Sequence, residues 1–364
     1  MTKRCEEREV FSRKMIDILN YGALNLALGL GYRLGLFEVM DAFDSPQSLS
    51  IIARKAELSP RYIKEWLGVM VCGGIVEVSQ EADGESGYYL PKACADLLTR
   101  RAGNENLGVY AQEIPLLTSC AMEAVAEGFS TGKGIGYGVY PRFQAFMAEL
   151  AMAKHQQVLV DKFLPTVEDG RLIERLQKGI RVCDLGCAEG TALLLMARAF
   201  PRSRFIGLDF SEEVIRQARS SASSQGLANV EFLARDAATL KDSQRFQGFF
   251  DYVTAFDAIH DQTQPLEALK GVHHVLAEGG AFSMVDIAAK TPMSENASHP
   301  MGAFLYAVSL MHCMPVGLAD GGAGLGMMWG REMAVEMLRS GGFQQVEVLE
   351  MDHDPFNLHF FCRK

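Results

Sequence analysis

The chain has 364 residues, 48% hydrophobic and 22% charged, which provides for a substantial core in two or three domains and excludes a fibre, a small disulfide scaffold or a long disordered chain. Its 35 basic against 45 acidic residues leave a net charge of -10, which disfavours broad attraction to nucleic-acid phosphates.

The opening residues, MTKRCEEREVFSRK, alternate charge and polarity and do not lead into an apolar export segment. The eight cysteines are dispersed from Cys5 to Cys362 with no CxxC pair. Both features are expected of a cytoplasmic protein with reduced thiols. From Met15 to Met40 the spacing of Ile16, Leu19, Leu24, Leu28, Leu34 and Phe37 predicts a buried helix pair, with Gly29 and Gly31 allowing close packing or a turn. Arg33 and these glycines leave no clean apolar run of about 20 residues, so no membrane span is expected. A helix over Leu49 to Lys55 follows, then the Ser59-Pro60 start signal, a helix over Arg61 to Met70, and a hairpin from Ile75 to Val78 and Tyr88 to Leu90. This order resembles a winged-helix domain over roughly residues 31 to 92. The second helix carries Arg61 and Lys64 beside Glu65, Trp66, Leu67 and Met70, which suits dimerisation or a substrate cap better than reading a DNA groove. Trp66 itself reads as a core aromatic.

Residues 101–165 read as largely helical, interrupted by GFSTGKGIGYGVYPRF, where Tyr137, Tyr140 and Phe143 sit among glycines. This stretch suits a ligand-wrapping loop or a structural connection.

The sharpest pattern begins with the strand Ile180 to Leu185, which runs into Gly186-Cys187-Ala188-Glu189-Gly190 and then the helical Thr191 to Phe200. Glycines at a strand-to-helix turn let backbone approach a ligand. The next strand, Arg204 to Leu208, ends at Asp209-Phe210, where a carboxylate can accept from ribose hydroxyls. Further strands lead from Val230 to Asp236, from Asp251 to Asp257 and His260, and, after Glu278-Gly279-Gly280, from Ala281 to Val285. Alternating strands and helices predict a mainly parallel three-layer α/β sheet with polar residues at its carboxyl edge.

The segments VCDLGCAEG, GLDFS, ARDA, FDYVTAFDAIHD and LAEGG, with the final VEVLEMDHDPFNLHFFC, resemble the class I S-adenosylmethionine-dependent methyltransferases. Ala188 stands where that family's first loop commonly has glycine, and Thr191 stands where a dinucleotide turn would place its last glycine, which separates the pattern from NAD binding. The implied fold is a Rossmann-like class I methyltransferase sheet with an N-terminal helical, winged-helix-like domain. The implied cofactor is S-adenosyl-L-methionine, with S-adenosyl-L-homocysteine as product. Carried over by motif, Asp184, Gly186, Ala188 and Gly190 organise the methionine end, Asp209 and Phe210 the ribose and adenine, Asp236 and Ala237 the adenine edge, and Phe256 completes the cofactor wall.

The AIHDQTQ segment resembles the HD loop of winged-helix-containing small-molecule O-methyltransferases, which implies His260 as general base; Gln262 replaces the tryptophan usual after the aspartate. The whole chain resembles a bacterial subgroup of such enzymes. Tyr140, Phe143, Asp257, Met301, Tyr306 and Trp329 are candidate acceptor contacts, the last three in a methionine-rich cap expected over residues 291–333. The stretch Gly317 to Gly326 reads as a lid or a surface connection. His299, His312 and Cys313 form no spaced metal signature, and no metal is expected.

The expected domains are 1–100, a dimerising winged-helix-like unit; 101–165, a helical linker and cap; and 166–364, the cofactor-binding domain with the 291–333 insertion. The expected function is methylation of a small molecule at oxygen by a homodimer. Methylation at nitrogen or sulfur, and a cofactor-responsive transcription regulator, are the alternatives.

Overall fold

The computed structural model describes residues 3–80 and 85–364. The chain divides into two units, Met1–Leu116 and Leu117–Lys364.

In the first unit, helices α1 (Lys3–Arg33), α2 (Leu36–Asp41), α3 (Leu49–Ala56) and α4 (Pro60–Cys72) precede a small hairpin. Strands β1 (Gln47–Ser48), β2 (Glu77–Gln80) and β3 (Ser86–Tyr89) form an antiparallel sheet in the order β1-β3-β2. The predicted hairpin connection includes residues 81–84, which lie outside the described residues. The predicted helices are present, but the pair is not buried throughout, since Ile16, Leu19 and Leu34 are exposed while Phe37 is buried; it breaks at Gly35, whose φ of 68° only glycine adopts freely, and not at Gly29 or Gly31. Gly31 serves packing: a Cβ there would meet the Trp66 indole at 2.7 Å. Trp66 is buried, donates Nε1–H to the Ala27 carbonyl at 2.9 Å, and meets Phe37 edge-on with centroids 5.5 Å apart. Pro60 opens α4, where its missing N–H has no helical partner to lose.

The second unit is built on seven strands: β4 (Arg181–Leu185), β5 (Arg204–Asp209), β6 (Val230–Ala234), β7 (Phe250–Phe256), β8 (Leu276–Ile287), β9 (Gln345–Glu350) and β10 (Asn357–Arg363). Their order is β6-β5-β4-β7-β8-β10-β9, parallel except for β10, which runs antiparallel to both neighbours. Helices cover both faces, which is why the central strands read as continuous apolar runs. One face packs Phe250, Phe282, Leu269 and Val272, and the other Leu193, Met196, Phe205 and Tyr252. Strand β4 has β5 on one side and β7 on the other, so successive crossovers leave it in opposite directions. A crevice opens at the carboxyl ends of such strands. That crevice lies beside Leu185, Asp209 and Phe256, the last residues of β4, β5 and β7.

Between β8 and β9 the chain forms short helical segments, including Gly302–Val308, a π-helical turn Ser309–Cys313 and Met314–Gly317. The glycine-rich stretch after them is pinned: Gly324 N–H donates to the Gly317 carbonyl at 3.0 Å and Ala323 N–H to Thr263 at 2.9 Å. Among the described residues no helix is long and apolar enough to cross a membrane.

Candidate active site

The turn after β4 is shaped by backbone conformation. Gly186 has φ 67°, Ala188 φ 45°, and Gly190 φ 81° at the start of the helix Thr191–Ala199. The N–H groups of Gly186 and Cys187 donate to the Leu208 carbonyl at 2.8 and 3.1 Å, stitching this turn to the end of β5. Asp209 completes the stitch, accepting from Ala188 N–H at 3.1 Å on Oδ2 and from Ser211 N–H at 2.9 Å on Oδ1. Each oxygen keeps further lone-pair capacity for a hydroxyl donor. Burial raises the Asp209 pKa, offset by its backbone donors. Burial also pushes Asp184 up to about 7, against the lowering effect of the Thr254 hydroxyl that donates to it at 2.7 Å.

These residues open onto a cavity of about 190 Å³ within the second unit. Asp184, Gly186, Ala188, Asp209, Phe210, Ala237 and Phe256 all line it. Small groups leave room beside the Asp209 carboxylate, while Phe210, 53% exposed, offers an apolar ring next to it. A nucleoside with free ribose hydroxyls and a small polar tail fits this donor set. Two sequence candidates stand apart. Gly190 does not line the cavity; its missing Cβ makes room for the Phe232 ring. Asp236 turns its carboxylate to its own backbone, accepting from Ala238 N–H at 2.9 Å as the cap of a 3-10 turn.

Of the acceptor candidates, Tyr140, Phe143 and Asp257 line the same cavity. The Asp257 carboxylate already accepts from Lys154 Nζ at 2.7 Å and from Asn357 Nδ2 at 3.1 Å. Burial opposes its charge, but the Lys154 ammonium outweighs that and lowers its pKa. Met301, Tyr306 and Trp329 lie away from the cavity. Met301 and Tyr306 pack around Ile287, Leu305 and Met328, and Trp329 is buried in the core beside the sheet. Methionines and aromatics on short helices next to a sheet edge have that apolar core to fill first.

His260 is set back from the cavity surface. The ring is 2% exposed and does not line the cavity. Its Nδ1 lies 2.7 Å from Asp286 Oδ1, which also receives Ile287 N–H and the Trp329 indole N–H, and its Nε2 lies 3.4 Å from Asp261 Oδ1. Burial disfavours the charged ring, yet the Asp286 and Asp261 carboxylates outweigh it and hold the pKa well above the ordinary histidine value. The Nδ1 contact to Asp286 is a hydrogen bond, whereas Asp261 Oδ1 has no hydrogen-bond partner among the described residues, so its contact with Nε2 is one of charge alone.

The cavity wall in front of His260 is formed by Asp261, Gln262 and His312, with Tyr137 beside them. Tyr137 donates its hydroxyl toward Asp261 Oδ2 at 3.4 Å, and its ring lies 5.0 Å from Phe210 and 5.7 Å from His312. Asp261 was legible only as the residue after His260, and His312 only as part of a dismissed metal pattern. The imidazole and carboxylate ligand atoms of His260 and Asp261 lie with Cys313 Sγ within 4.8 Å of one another. The described geometry already gives both His260 nitrogens carboxylate partners.

Residues 176–314 match the family model described as a methyltransferase domain, and residues 22–100 match an Rv2258c-like winged HTH domain. The architecture is the class I S-adenosylmethionine-dependent methyltransferase fold with an N-terminal winged-helix-like domain. Human N-acetylserotonin methyltransferase, solved in complex with SAM, superimposes with a TM-score of 0.70 at 15% identity over 97% of each chain. An O-methyltransferase family protein from Burkholderia thailandensis gives 0.67 at 14%, over 97% of this chain and 98% of that one. A demethylmenaquinone methyltransferase from Listeria monocytogenes serotype 4a is 30% identical over 113 residues, which are 31% of this chain and 46% of the relative. The chain thus spans less than half the length of that curated relative.

Proposed function

We propose that this chain transfers a methyl group from S-adenosylmethionine to an oxygen of a small acceptor molecule, leaving S-adenosylhomocysteine. The observation that carries this reading is one cavity joining the Gly186, Ala188 and Asp209 cradle to a wall of Asp261, Gln262 and His312. The fold shared with an O-methyltransferase family protein supports oxygen as the acceptor atom.

When bound, the cofactor supplies a methyl group already activated on a sulfonium. The protein's task is to position the acceptor in line with it and to exclude water. Gly186 and Ala188 admit the methionine end by keeping side chains out of the turn, and Asp209 receives the ribose hydroxyls. Phe210 and Ala237 flank the base. Tyr137, Tyr140 and Phe143 give the acceptor an apolar, aromatic enclosure. A hydroxyl acceptor must lose a proton, and the cluster of Asp261 and His312, backed by His260, is the group available to receive it.

Isothermal calorimetry with S-adenosylhomocysteine tests the cradle. Asp209→Ala is expected to weaken binding by at least about tenfold, because it removes a charge-assisted acceptor, worth roughly 1.5–3 kcal/mol. Unchanged affinity would sink the assignment.

The winged-helix-like unit serves pairing of two copies. Phe11, Met15, Ile18, Leu26 and Leu30 on α1 are all exposed at helical spacing, an apolar stripe of the kind that covers itself by association. Sedimentation velocity is expected to show a dimer that Ile18→Glu together with Leu26→Glu converts to monomer. A monomeric parent protein would reject this assembly.

A further inference from the structure

We propose that the ion pair of Lys154 and Asp257 receives the amino-acid end of the cofactor, with the Lys154 ammonium facing its α-carboxylate and the Asp257 carboxylate facing its α-ammonium. This deepens the cofactor assignment above and rests on it.

The helix Pro141–His155 turns one face to the cavity: Gln144, Met147, Ala151 and Lys154 line it, three or four residues apart. Of these four only Lys154 is charged. Its ammonium lies 2.7 Å from Asp257 Oδ2 and 3.6 Å from Asp354, which does not line the cavity. His155 also lines the cavity but adds no second cation, because burial, reinforced by the Lys154 charge, lowers its pKa to about 4.

Asp257 is fixed from several sides. It follows the last residue of β7, its N–H donates to the Val285 carbonyl of β8 at 2.8 Å, and Asn357 of β10 donates its side-chain amide to both carboxylate oxygens at 3.1 and 3.2 Å. Its backbone is left-handed, φ 49°, a conformation that a non-glycine residue keeps only where its surroundings hold it. The pair is thus set in place before a ligand arrives, which lowers the cost of binding. A carboxylate with these contacts still has lone-pair capacity for an ammonium.

The sheet supplies the register. Asp209, at the ribose end, closes β5, Asp257 follows β7, and β4 lies between them. Two strand spacings separate these strand ends by roughly 10 Å, a span that a ribose, its thioether sulfur and the amino-acid chain beyond it can cover. The turn of Gly186 and Ala188, after β4, lies along that path.

The charges agree with the ligand. An amino-acid end carries both signs, so a lone charge in the wall would attract one group and repel the other, whereas a pair of opposite polarity meets both. The Lys154 and Asp257 side chains are only 18% and 25% exposed, which shelters these contacts from water. Burial opposes the Asp257 charge, but Lys154 outweighs it and the carboxylate stays ionised.

Isothermal calorimetry on the full chain tests this by comparing S-adenosylhomocysteine with 5′-methylthioadenosine, which keeps the adenosine and thioether and lacks the amino acid. Lys154→Met is expected to weaken S-adenosylhomocysteine by about tenfold or more while leaving methylthioadenosine within about twofold, since only the first presents a charged partner. Equal losses with both ligands would make Lys154 a support of the fold and overturn the proposal, as would no loss. The single variant leaves Asp257 without its cation, so Lys154→Met combined with Asp257→Asn is measured in parallel and should show the same selective loss. An unchanged ratio of the two affinities in that variant also overturns the proposal. If the parent protein binds neither ligand, the cofactor assignment fails and this inference with it; if it binds both equally well, only the inference fails.

Discussion

Ala188 carries a left-handed backbone, φ 45°, in the middle of the ligand-facing turn. An L-residue there costs about 1–2 kcal/mol relative to ordinary conformations, and glycine does not. Glycine loses more freedom on folding, which offsets part of that gain. Ala188→Gly is therefore expected to stabilise the second unit by about 0.5–1 kcal/mol, read as a higher urea midpoint with an unchanged slope. A lower midpoint would show that the methyl group packs more than it strains. The motif exposed this position because a departure from glycine at a tight turn is visible in one letter. The sequence did not reveal that Gly190 is required by the Phe232 ring behind it, because both glycines read alike in a string and only packing separates their uses.

Single elements show a related contrast between two glycines. Gly31 in α1 faces the Trp66 indole, and a Cβ there would lie 2.7 Å from ring atoms. Trp66 is held by its hydrogen bond to Ala27 and by Phe37, so Gly31→Ala is expected to cost about 1–3 kcal/mol through overpacking. Gly68 in α4 has open space around its missing Cβ, and Gly68→Ala should add about 0.5–1 kcal/mol through helix propensity. Thermal melts of the two variants should move in opposite directions; a shift of the same sign would refute the packing argument. The winged-helix-like order was readable because its start signal at Ser59-Pro60 and its apolar hairpin segments are local. The break at Gly35 was not, since three glycines in seven residues offer equivalent places to turn.

At the scale of the molecule, His359 and Asp184 pull the response to pH in opposite directions. His359 lies on β10, 1% exposed, with Nε2 at 2.8 Å from Ser283 Oγ. Burial, with a smaller contribution from His353, pushes its pKa down from 6.5 to about 4. Above pH 6.5 the ring is neutral folded and unfolded, and it contributes no pH dependence. Below 6.5 the unfolded chain binds a proton that the folded one refuses, so stability falls as pH drops toward 4, by up to about 3 kcal/mol from this group. Asp184 acts oppositely: with its pKa raised to about 7, the folded state holds a proton that the unfolded state has lost, and its contribution disappears as pH rises from about 4 to 7. Urea melts of His359→Gln should therefore show a shallower loss than the parent between pH 6.5 and 4.5. A parallel curve would mean that this ring is protonated in the folded protein.

The cofactor-facing half of the candidate site was legible in one dimension because it is made by backbone. A strand, a turn of small residues and a carboxylate at the next strand end are consecutive features, and a parallel sheet must bring the ends of β4 and β5 together. The opposite wall has no such local origin. Tyr137, Asp261 and His312 come from three distant segments, and their meeting depends on how the glycine-rich loop and the helices before β9 pack. Only that packing decided that His260, the residue the motif favoured, is set back from the cavity beside Asp286 and Asp261, while His312 lines it.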